Sequence, residues 1–446
     1  MSALTLTIVA FFVLGYVCIA LESITKINKA AIALIMFVVC WSIFMISPET
    51  YLPGLEGSAL YHAVSQMIEN HLGETATTLF FLMGAMTIVE VVDQNGGFNF
   101  VRSLLLTSSK RRLLWRIAFL TFFMSAILDN LTTSIVMIML LRKLVDDHDD
   151  RLIYASIVVI AANSGGAFSP IGDVTTIMLW NSEFITSQGL ITEIFIPSLF
   201  SMVIPAFIMQ YWFKGDLVTT GLASDSGGVE LSERQRRAVF FVGVGGLMSV
   251  PLFHYFTHLP PFMGILLVLG LLWMVTELFY SSKRLKTKGS AKKRVTTLLS
   301  RIDMSTILFF LGILMAVNCL QEIGVLKMLG HVLDVVSGGN HYLVTSVIGV
   351  LSSIVDNVPL VAGCMGMYPL ALSGDMAVDG IFWQLLAYCA GVGGSMLIIG
   401  SAAGVVVMGL EKITFGWYLK RITWVAFAGY LAGIGSYWVI RSFIFA

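Results

Sequence analysis

Apolar stretches long enough to cross a bilayer recur along the whole chain, and they leave very few folds open to it. A membrane-spanning helix needs about 20 mainly apolar residues, and charged residues make up only 12% of the 446. A soluble fold of this size is therefore excluded, and we predict an all-α polytopic membrane protein. The ten candidate spans are residues 4–20, 30–46, 76–92, 152–180, 191–213, 238–256, 261–280, 304–320, 381–410 and 422–440.

Composition also narrows the classes of partner and cofactor. The net charge is zero, and no basic stripe carries interleaved aromatic residues, so we predict no nucleic-acid partner. The five cysteines lie inside apolar runs without metal-ligand spacing, which indicates core residues and no metal cofactor. No basic residue precedes residues 4–20, so we interpret that stretch as a helix rather than a cleaved signal.

Two further apolar stretches each carry an Asp-Asn pair near the middle. Asp129-Asn130 divides residues 113–141, and Asp356-Asn357 divides residues 342–372. At about 1.5 Å per residue, the arms of 15 and 11 residues around Asp129 are too short to cross a hydrocarbon core of about 30 Å. We therefore predict two re-entrant hairpins, whose tips must be covered by protein or line an aqueous cavity.

Two of the candidate spans, residues 152–180 and 381–410, are too long for a simple crossing. Glycine and proline break helices, and nearby polar side chains can bond the opened backbone. We predict two broken helices, and the residues expected to break them are Gly165, Gly166, Pro170 and Gly172 in the first, and Gly393, Gly394 and Gly400 in the second.

The two halves of the chain carry these features in the same order. The Phe-Phe-Leu of residues 80–82 and 309–311, the Asp-Asn pairs and the glycine clusters match at an offset of 227 to 229 residues. Five spans lie in residues 1–213, before a linker at 214–237, so residues 238–446 start from the opposite face. The sequence thus predicts an inverted-topology repeat with oppositely oriented hairpins, which is typical of secondary transporters.

The distribution of Lys and Arg predicts the orientation of the chain in the membrane. With an external N-terminus, 25 of the 27 Lys and Arg fall on the cytoplasmic side, and only Lys327 and Arg441 fall outside. The loop at 283–294 alone carries seven positive charges, and we interpret it as a topology anchor under the positive-inside rule.

Three carboxylates fall in the predicted membrane interior: Asp129, Asp173 and Asp356. An ionisable side chain there is costly and is a functional-site hypothesis by default, although each aspartate could instead cap the helix that follows it. We expect no Lys or Arg at the same depth, so the cavity should be anionic. Glu411, by contrast, is interpreted as a solvated helix end.

An anionic cavity favours a cation or a proton over an anionic substrate. Burial raises the pKa of a carboxylate toward the physiological range, and such a group can hold either a proton or a metal cation. Competition between the two would produce cation/proton exchange. We therefore predict a transporter rather than an enzyme.

The motifs resemble those of NhaD-type sodium/proton antiporters. The resemblance is carried by the Asp-Asn-Leu-Thr-Thr of residues 129–133, the segment 163–173 and the second Asp-Asn pair. That family belongs to the ion transporter superfamily, with arsenite exporters and divalent-anion/sodium symporters. The resemblance implies exchange of Na+ or Li+ for H+ by a homodimer with an elevator motion, without a cofactor, in a bacterial cytoplasmic (inner) membrane.

The resemblance also implies a set of ion-binding residues in each half. The first cation site would be formed by Asp129, Asn130, Thr132, Thr133, Asn163 and Asp173, with Na+ at Asp129, Asn130 and Asp173. Its pseudo-symmetric counterpart would be lined by Asp356, Asn357, Ser395 and Ser401. In the symporter relatives the hairpin tips usually read Ser-Asn-Thr, and aspartate in place of that serine favours proton coupling.

Three other functions compete with the antiporter. A sodium-coupled symporter of a small carboxylate would need a basic or Asn/Thr-rich substrate pocket beside a sodium site. An intramembrane aspartyl protease of the presenilin type would need Gly-x-Gly-Asp, whereas residues 169–173 read Ser-Pro-Ile-Gly-Asp. A passive channel would be distinguished by a transport rate far above the turnover of a carrier.

Overall fold

The computed structural model describes residues 2–20, 25–98, 104–213, 215, 231–281 and 294–443. Within these ranges the regular structure is helical and contains no β-strand. Six of the described helices are long and apolar enough to cross a membrane, and shorter apolar helices accompany them. The sequence prediction of an all-α polytopic membrane protein agrees with this fold. The basic loop at 283–294 lies outside the described residues except for Arg294. The linker at 214–237 is described only at 215 and 231–237, where the helix that starts at Glu233 already begins.

The described part of the first half consists of helices of very different lengths. They are α1 (Ala3–Ala20), α2 (Lys29–Phe44), α3 (Gly57–Gln94), α4 (Lys110–Leu128), α5 (Asn130–Leu144), α6 (His148–Ala167), α7 (Val174–Asn181) and α8 (Ser187–Met209). At 38 residues, α3 far exceeds the span predicted at 76–92, because the more polar segment before that span is also helical.

The described part of the second half is also made of helices of very different lengths. The helices are α9 (Glu233–Thr257), α10 (Pro261–Ser281), α11 (Val295–Leu298), α12 (Met304–Glu322), α13 (Val325–Ser337), α14 (His341–Leu351), α15 (Asn357–Met367), α16 (Ile381–Gly393), α17 (Ala402–Glu411), α18 (Phe415–Arg421) and α19 (Thr423–Phe443). The predicted spans did not include α13, because its 13 residues are too few to cross a bilayer.

The arms of the first Asp-Asn hairpin are longer than predicted. α4 has 19 residues and α5 has 15, because the basic residues at both outer ends are also helical. At about 1.5 Å per residue, α4 is nearly as long as a hydrocarbon core is thick, so our length argument is wrong for this arm. The hairpin is instead defined by the reversal of the chain at Asp129, which brings α4 and α5 into contact.

The two broken helices lie side by side at the centre of the molecule. All residues of α6 from Leu152 and all residues of α16 from Phe382 are buried. α4 packs on α6, α14 packs on α16, and α6 contacts α16 directly. α8 and α19 pack together beside this core, while α2 packs on α12 and α3 on α10.

Glycines in the broken helices permit unusually close backbone contacts. A Cβ atom at Gly165 would lie 2.1 Å from the carbonyl oxygen of Phe122 in α4. In the second half, a Cβ atom at Gly393 would lie 2.1 Å from the carbonyl oxygen of Gly349 in α14. Only glycine allows such an approach, so these residues hold each broken helix against its neighbouring Asp-Asn helix.

The breaks themselves lie slightly later in the chain than predicted. α6 continues to Ala167, so Gly165 and Gly166 are helical, and the interruption runs from 168 to 173 and includes Pro170 and Gly172. In the second half, Gly393 is the last residue of α16, and Gly394 and Gly400 lie in the interruption at 394–401. A glycine inside a helix costs only about 1 kcal/mol, so the helix continues through Gly165 and Gly166, whereas a proline cannot continue it.

Glu411 is not a solvated helix end, and that interpretation is wrong. Its side chain is 2% exposed. It accepts hydrogen bonds from Nε of Arg142 at 2.7 Å and from Nε of Arg151 at 2.6 Å. A buried carboxylate requires such partners. The sequence could not indicate them, because α5 and α6 approach the end of α17 only in the folded chain.

Candidate functional site

Each of the three interior aspartates directly precedes a helix and caps it. The backbone nitrogen of Thr132 donates to Oδ1 of Asp129 at 2.8 Å, and that of Thr175 donates to Oδ1 of Asp173 at 2.9 Å. Asp356 caps α15 through its side chain in the same manner. All three aspartates are therefore helix caps, as the alternative interpretation of the sequence expected. Any further role of each carboxylate depends on its other contacts.

Asp129 occupies a backbone conformation that is rare for a residue with a side chain. Its φ is 85° and its ψ is 160°, which costs of the order of 1–3 kcal/mol. The strain accompanies the reversal between α4 and α5. Thr132 holds both carboxylate oxygens, through its backbone nitrogen and through its hydroxyl at 2.8 Å. At the other tip, Asp356 has an ordinary φ of −51°.

Asp173 is the centre of a buried hydrogen-bond network and is only 1% exposed. Besides the capping bond, the hydroxyl of Thr175 donates to Oδ1 at 2.8 Å. Nδ2 of Asn130 donates to Oδ2 at 2.5 Å, and Nδ2 of Asn357 lies 3.3 and 3.5 Å from the two oxygens. One carboxylate therefore receives donors from its own helix and from both Asp-Asn pairs.

Asn163 extends this network to the second broken helix. It is fully buried in α6, and its Oδ1 accepts from Nδ2 of Asn130 at 3.1 Å. Its Nδ2 donates to the hydroxyls of Ser395 and Ser401, both at 3.0 Å. The two sets of residues expected to line separate pseudo-symmetric sites are thus joined into one hydrogen-bonded cluster.

The two breaks place different side chains at corresponding points. Asp173 has φ −146° and ψ 150°, and Ser401 has φ −144° and ψ 153°. Both side chains cap the short helix that follows, Ser401 by accepting from the backbone nitrogen of Gly404 at 3.1 Å. The cluster therefore has a carboxylate on one side and a neutral hydroxyl on the other.

Thr133 supplies an oxygen that is not engaged by the rest of the described chain. The side chain is fully buried, and its hydroxyl has no hydrogen-bond partner among the described residues. Buried polar groups are nearly always satisfied in folded proteins. Hydroxyl, amide and carboxylate oxygens suit hard cations, so the cluster around Asp173 and Asn163 offers a suitable ligand chemistry for Na+. The hydroxyl of Thr133, three residues after Asn130, is a further oxygen of this kind.

The expectation that no Lys or Arg lies near the carboxylates is wrong at Asp356. Nζ of Lys29, the first residue of α2, lies 3.0 Å from Oδ2 of Asp356. It also lies 4.2 Å from the centre of the Phe309 ring. Lys29 stands just outside the apolar run predicted at 30–46, and its long side chain reaches inward from that end. Sequence position alone could not reveal this contact.

A cavity of about 640 Å³ adjoins the second Asp-Asn pair. Its wall includes Lys29, Asp356 and Ser401. Asn28 and Asp303 also line it and are exposed, so the cavity leads from Ser401 of the cluster to the surface of the molecule.

Two residues that contact the aspartates of the site, Thr175 and Lys29, were not predicted as site residues. For Thr175 a signal exists, because the Asp-Val-Thr-Thr of residues 173–176 resembles the Asp-Asn-Leu-Thr-Thr of residues 129–133, with a carboxylate shortly before paired threonines. For Lys29 no local signal exists, since a lysine at the start of an apolar span is the ordinary topology pattern.

The sequence of this chain is similar to those of known transporters over almost its full length. It matches the family described as Citrate transporter (CitMHS) over residues 16–387. Sodium/proton antiporter 1 of Arabidopsis thaliana is 44% identical over 440 residues, which cover 97% of this chain and 72% of that protein. Sodium/proton antiporter 2 of the same plant is 42% identical over 438 residues, which cover 97% and 99%. The Na(+)/H(+) antiporter NhaD of Vibrio cholerae is 30% identical over 451 residues, which cover 95% and 89%.

Proposed function

The chain belongs to the citrate transporter (CitMHS) family, together with NhaD-type sodium/proton antiporters, and on that premise we propose that it exchanges cytoplasmic Na+, and also Li+, for external H+. The observation that carries this proposal is the position of Asp173. One buried carboxylate lies where both Asp-Asn pairs and both broken helices meet. A cation bound there would be released when a proton takes its place.

The oxygens assigned to the cation come from the first half of the cluster. They belong to the carboxylates of Asp129 and Asp173, the amides of Asn130 and Asn163 and the hydroxyl of Thr133. Thr132 orients Asp129. Asn357, Ser395 and Ser401 complete the cluster from the second half, and Asp356 forms its aqueous edge. A rotation of the Asn130 amide would turn its oxygen toward the ion in place of its nitrogen.

The architecture in the membrane is part of the proposal. Residues 1–213 and 238–446 would form two inverted repeats with ten spans and two oppositely oriented re-entrant hairpins. Two observations support it: the matching glycine contacts of Gly165 and Gly393, and the matching backbone conformations of Asp173 and Ser401. The protein would act as a homodimer in a bacterial cytoplasmic membrane, by alternating access, with most basic loops in the cytoplasm.

Purified protein in sealed liposomes with an imposed pH gradient tests the exchange. We expect the gradient to collapse on addition of Na+ or Li+ but not of K+, as followed by a pH-sensitive dye. The family description as Citrate transporter favours one competing function, a sodium-coupled carboxylate symporter. No response to any cation, together with Na+-dependent uptake of labelled citrate, would replace the proposal with that function.

Cysteine labelling tests the proposed orientation of the chain in the membrane. A cysteine at Ser373, in the exposed turn after the second hairpin, should react with an impermeant thiol reagent added outside intact cells. A cysteine at Asp149, exposed at the start of α6, should react only after the cells are opened. The two labelling patterns would be reversed if the proposed orientation were inverted, and labelling of both sites from one side would contradict oppositely oriented hairpins.

A further inference from the structure

We propose that Lys29 competes with the transported cation for the carboxylate of Asp356 and so sets the apparent affinity of the site for Na+. In this conformation its ammonium group occupies the position beside Oδ2 that a cation entering through the cavity would take. Lys29 would thereby set the Na+ concentration at which the aqueous side of the site fills. This inference rests on the proposed sodium/proton exchange and adds a residue that none of the sequence motifs contains.

The geometry holds both partners of this ion pair in place. The ammonium of Lys29 lies 3.0 Å from Oδ2 of Asp356 and stands over the ring of Phe309, where the face of the aromatic ring attracts a cation. The other carboxylate oxygen of Asp356 accepts a hydrogen bond from the backbone nitrogen of Val358 at 3.3 Å. Oδ2 is therefore the oxygen available to a cation, and Lys29 is the cation beside it.

The base of the lysine is fixed to the wall of the cavity. Oδ1 of Asn28 accepts from the backbone nitrogen of Ala30 at 2.8 Å and from the hydroxyl of Ser305 in α12 at 3.0 Å. These bonds cap α2 and tie its start to α12. The side chain of Lys29 consequently begins at a defined point and is directed toward the tip that carries Asp356.

The surroundings of the ion pair indicate that a metal ion can replace the ammonium of Lys29 beside Asp356. The side chains of Lys29 and Asp356 are 25% and 20% exposed, and both line the cavity. Partly exposed ion pairs contribute little net stability, so a dissolved cation can displace the ammonium. An ammonium and a Na+ cannot both occupy the same side of one carboxylate oxygen, which makes their binding competitive.

The groups that surround Asp356 differ in charge from those that surround Asp173. Among the described residues, the hydrogen-bond donors to Asp173 are the neutral groups of Asn130, Asn357 and Thr175. Neutral amides orient a carboxylate without cancelling its charge, whereas the ammonium of Lys29 cancels the charge of Asp356. Asp173 would therefore bind the cation first, and occupation of Asp356 would require the lysine to withdraw.

The KM for Na+ of Lys29→Gln protein in liposomes tests the proposal. We expect the KM to fall about twofold to fivefold, the change that corresponds to the loss of one partly exposed ion pair, without a rise in the maximal rate. Lys29→Arg should keep the wild-type KM, because it restores the positive charge. Lys26→Gln removes another lysine from the same cavity wall and should leave the KM unchanged. Damage to the fold would raise the KM or lower the rate instead.

Chemical modification of a cysteine at position 29 tests the same proposal within a single folded variant. Lys29→Cys protein is treated with a reagent that attaches an aminoethyl group through a disulfide, or with one that attaches a methyl group. The aminoethyl group restores an ammonium and should raise the KM for Na+ back toward the wild-type value, whereas the methyl group should not. Wild-type protein treated with the same reagents controls for modification of the native cysteines.

The outcomes separate this inference from the proposed function. If wild-type protein shows no Na+-dependent proton movement, the proposed function itself fails, and Lys29 loses its role with it. If wild-type protein exchanges Na+ but Lys29→Gln has an unchanged or higher KM, and the aminoethyl group has no effect, only the inference about Lys29 is overturned. Binding of Na+ should also raise the Tm, and Lys29→Gln should enlarge that increase when Asp356 is present but not in an Asp356→Asn background.

Discussion

Asp173→Asn should abolish sodium/proton exchange while leaving the protein folded. The substitution removes the formal charge but keeps an oxygen that can accept from Thr175, and asparagine caps helices about as well as aspartate. The hydrogen bonds of a charged group are worth about 1.5–3 kcal/mol each, and this carboxylate accepts from Asn130, Asn357 and Thr175. Without the carboxylate the cluster has no group at this point that can exchange a proton for Na+, so we expect a loss of about a hundredfold or more in the exchange rate, measured in liposomes.

Asp303→Asn provides a matched control for helix capping. Asp303 caps α12 by accepting from the backbone nitrogen of Thr306 at 3.2 Å and from its hydroxyl at 2.6 Å, but it is exposed. This variant should retain the wild-type rate and a Tm close to that of the wild type. Asp173→Asn should stay folded but have a lower Tm, because an amide has one acceptor oxygen where the carboxylate has two. An Asp173→Asn protein that still exchanges at the wild-type rate would reduce Asp173 to a helix cap.

Gly165→Ala should destabilise the protein by about 3 kcal/mol or more, at or beyond the upper end of the range for overpacking a core. The new methyl group would lie 2.1 Å from the carbonyl oxygen and 2.8 Å from the carbonyl carbon of Phe122. Carbon contacts are optimal at about 3.5–4.0 Å, so α4 and α6 would have to separate by more than about 1 Å. A fall in Tm in detergent, measured by scanning fluorimetry, would report this. The exchange rate should also fall, because Asn163 lies only two residues before Gly165 in α6 and would move with it.

Gly270→Ala is the corresponding control in an uncrowded helix. A Cβ atom at Gly270, in α10, would meet no atom within 4 Å among the described residues outside its own helix. Alanine is favoured over glycine in a helix by up to about 1 kcal/mol, so this variant should have an unchanged or slightly higher Tm. Equal Tm values for Gly165→Ala and wild-type protein would show that α4 and α6 do not approach as closely as described.

The sequence was informative wherever a local pattern has a direct physical consequence. Apolar runs predicted the helical membrane fold, because a lipid environment leaves backbone groups few other ways to be satisfied. Residues that disrupt or cap helices marked Asp129, Asp173 and Asp356 as points where helices begin. Because all three are tied to helix ends, the Asp-Asn pairs and the interrupted helices could be located without knowledge of the tertiary structure.

Contacts between distant segments were beyond the reach of these patterns. The bond from Asn163 to Ser401 and the ion pair of Lys29 with Asp356 join residues more than 200 positions apart. The burial of Glu411 depends on two arginines from other helices. A spacing rule describes one helix or one turn, whereas these pairings arise only when the helices are packed against one another.

The hydrogen bonds that cross between the halves also constrain how such a protein can evolve. Asn163 donates to Ser395 and Ser401, and Asn357 donates to Asp173. A substitution in one half therefore changes the energetic effect of substitutions in the other half, because the effects of substitutions within one hydrogen-bond network are not additive. If the halves arose by duplication of a single gene segment, they are no longer interchangeable copies. Mutations at this cluster would be tolerated mainly in compensating pairs, and a chimera that took its halves from two relatives would have to bring both partners of each bond.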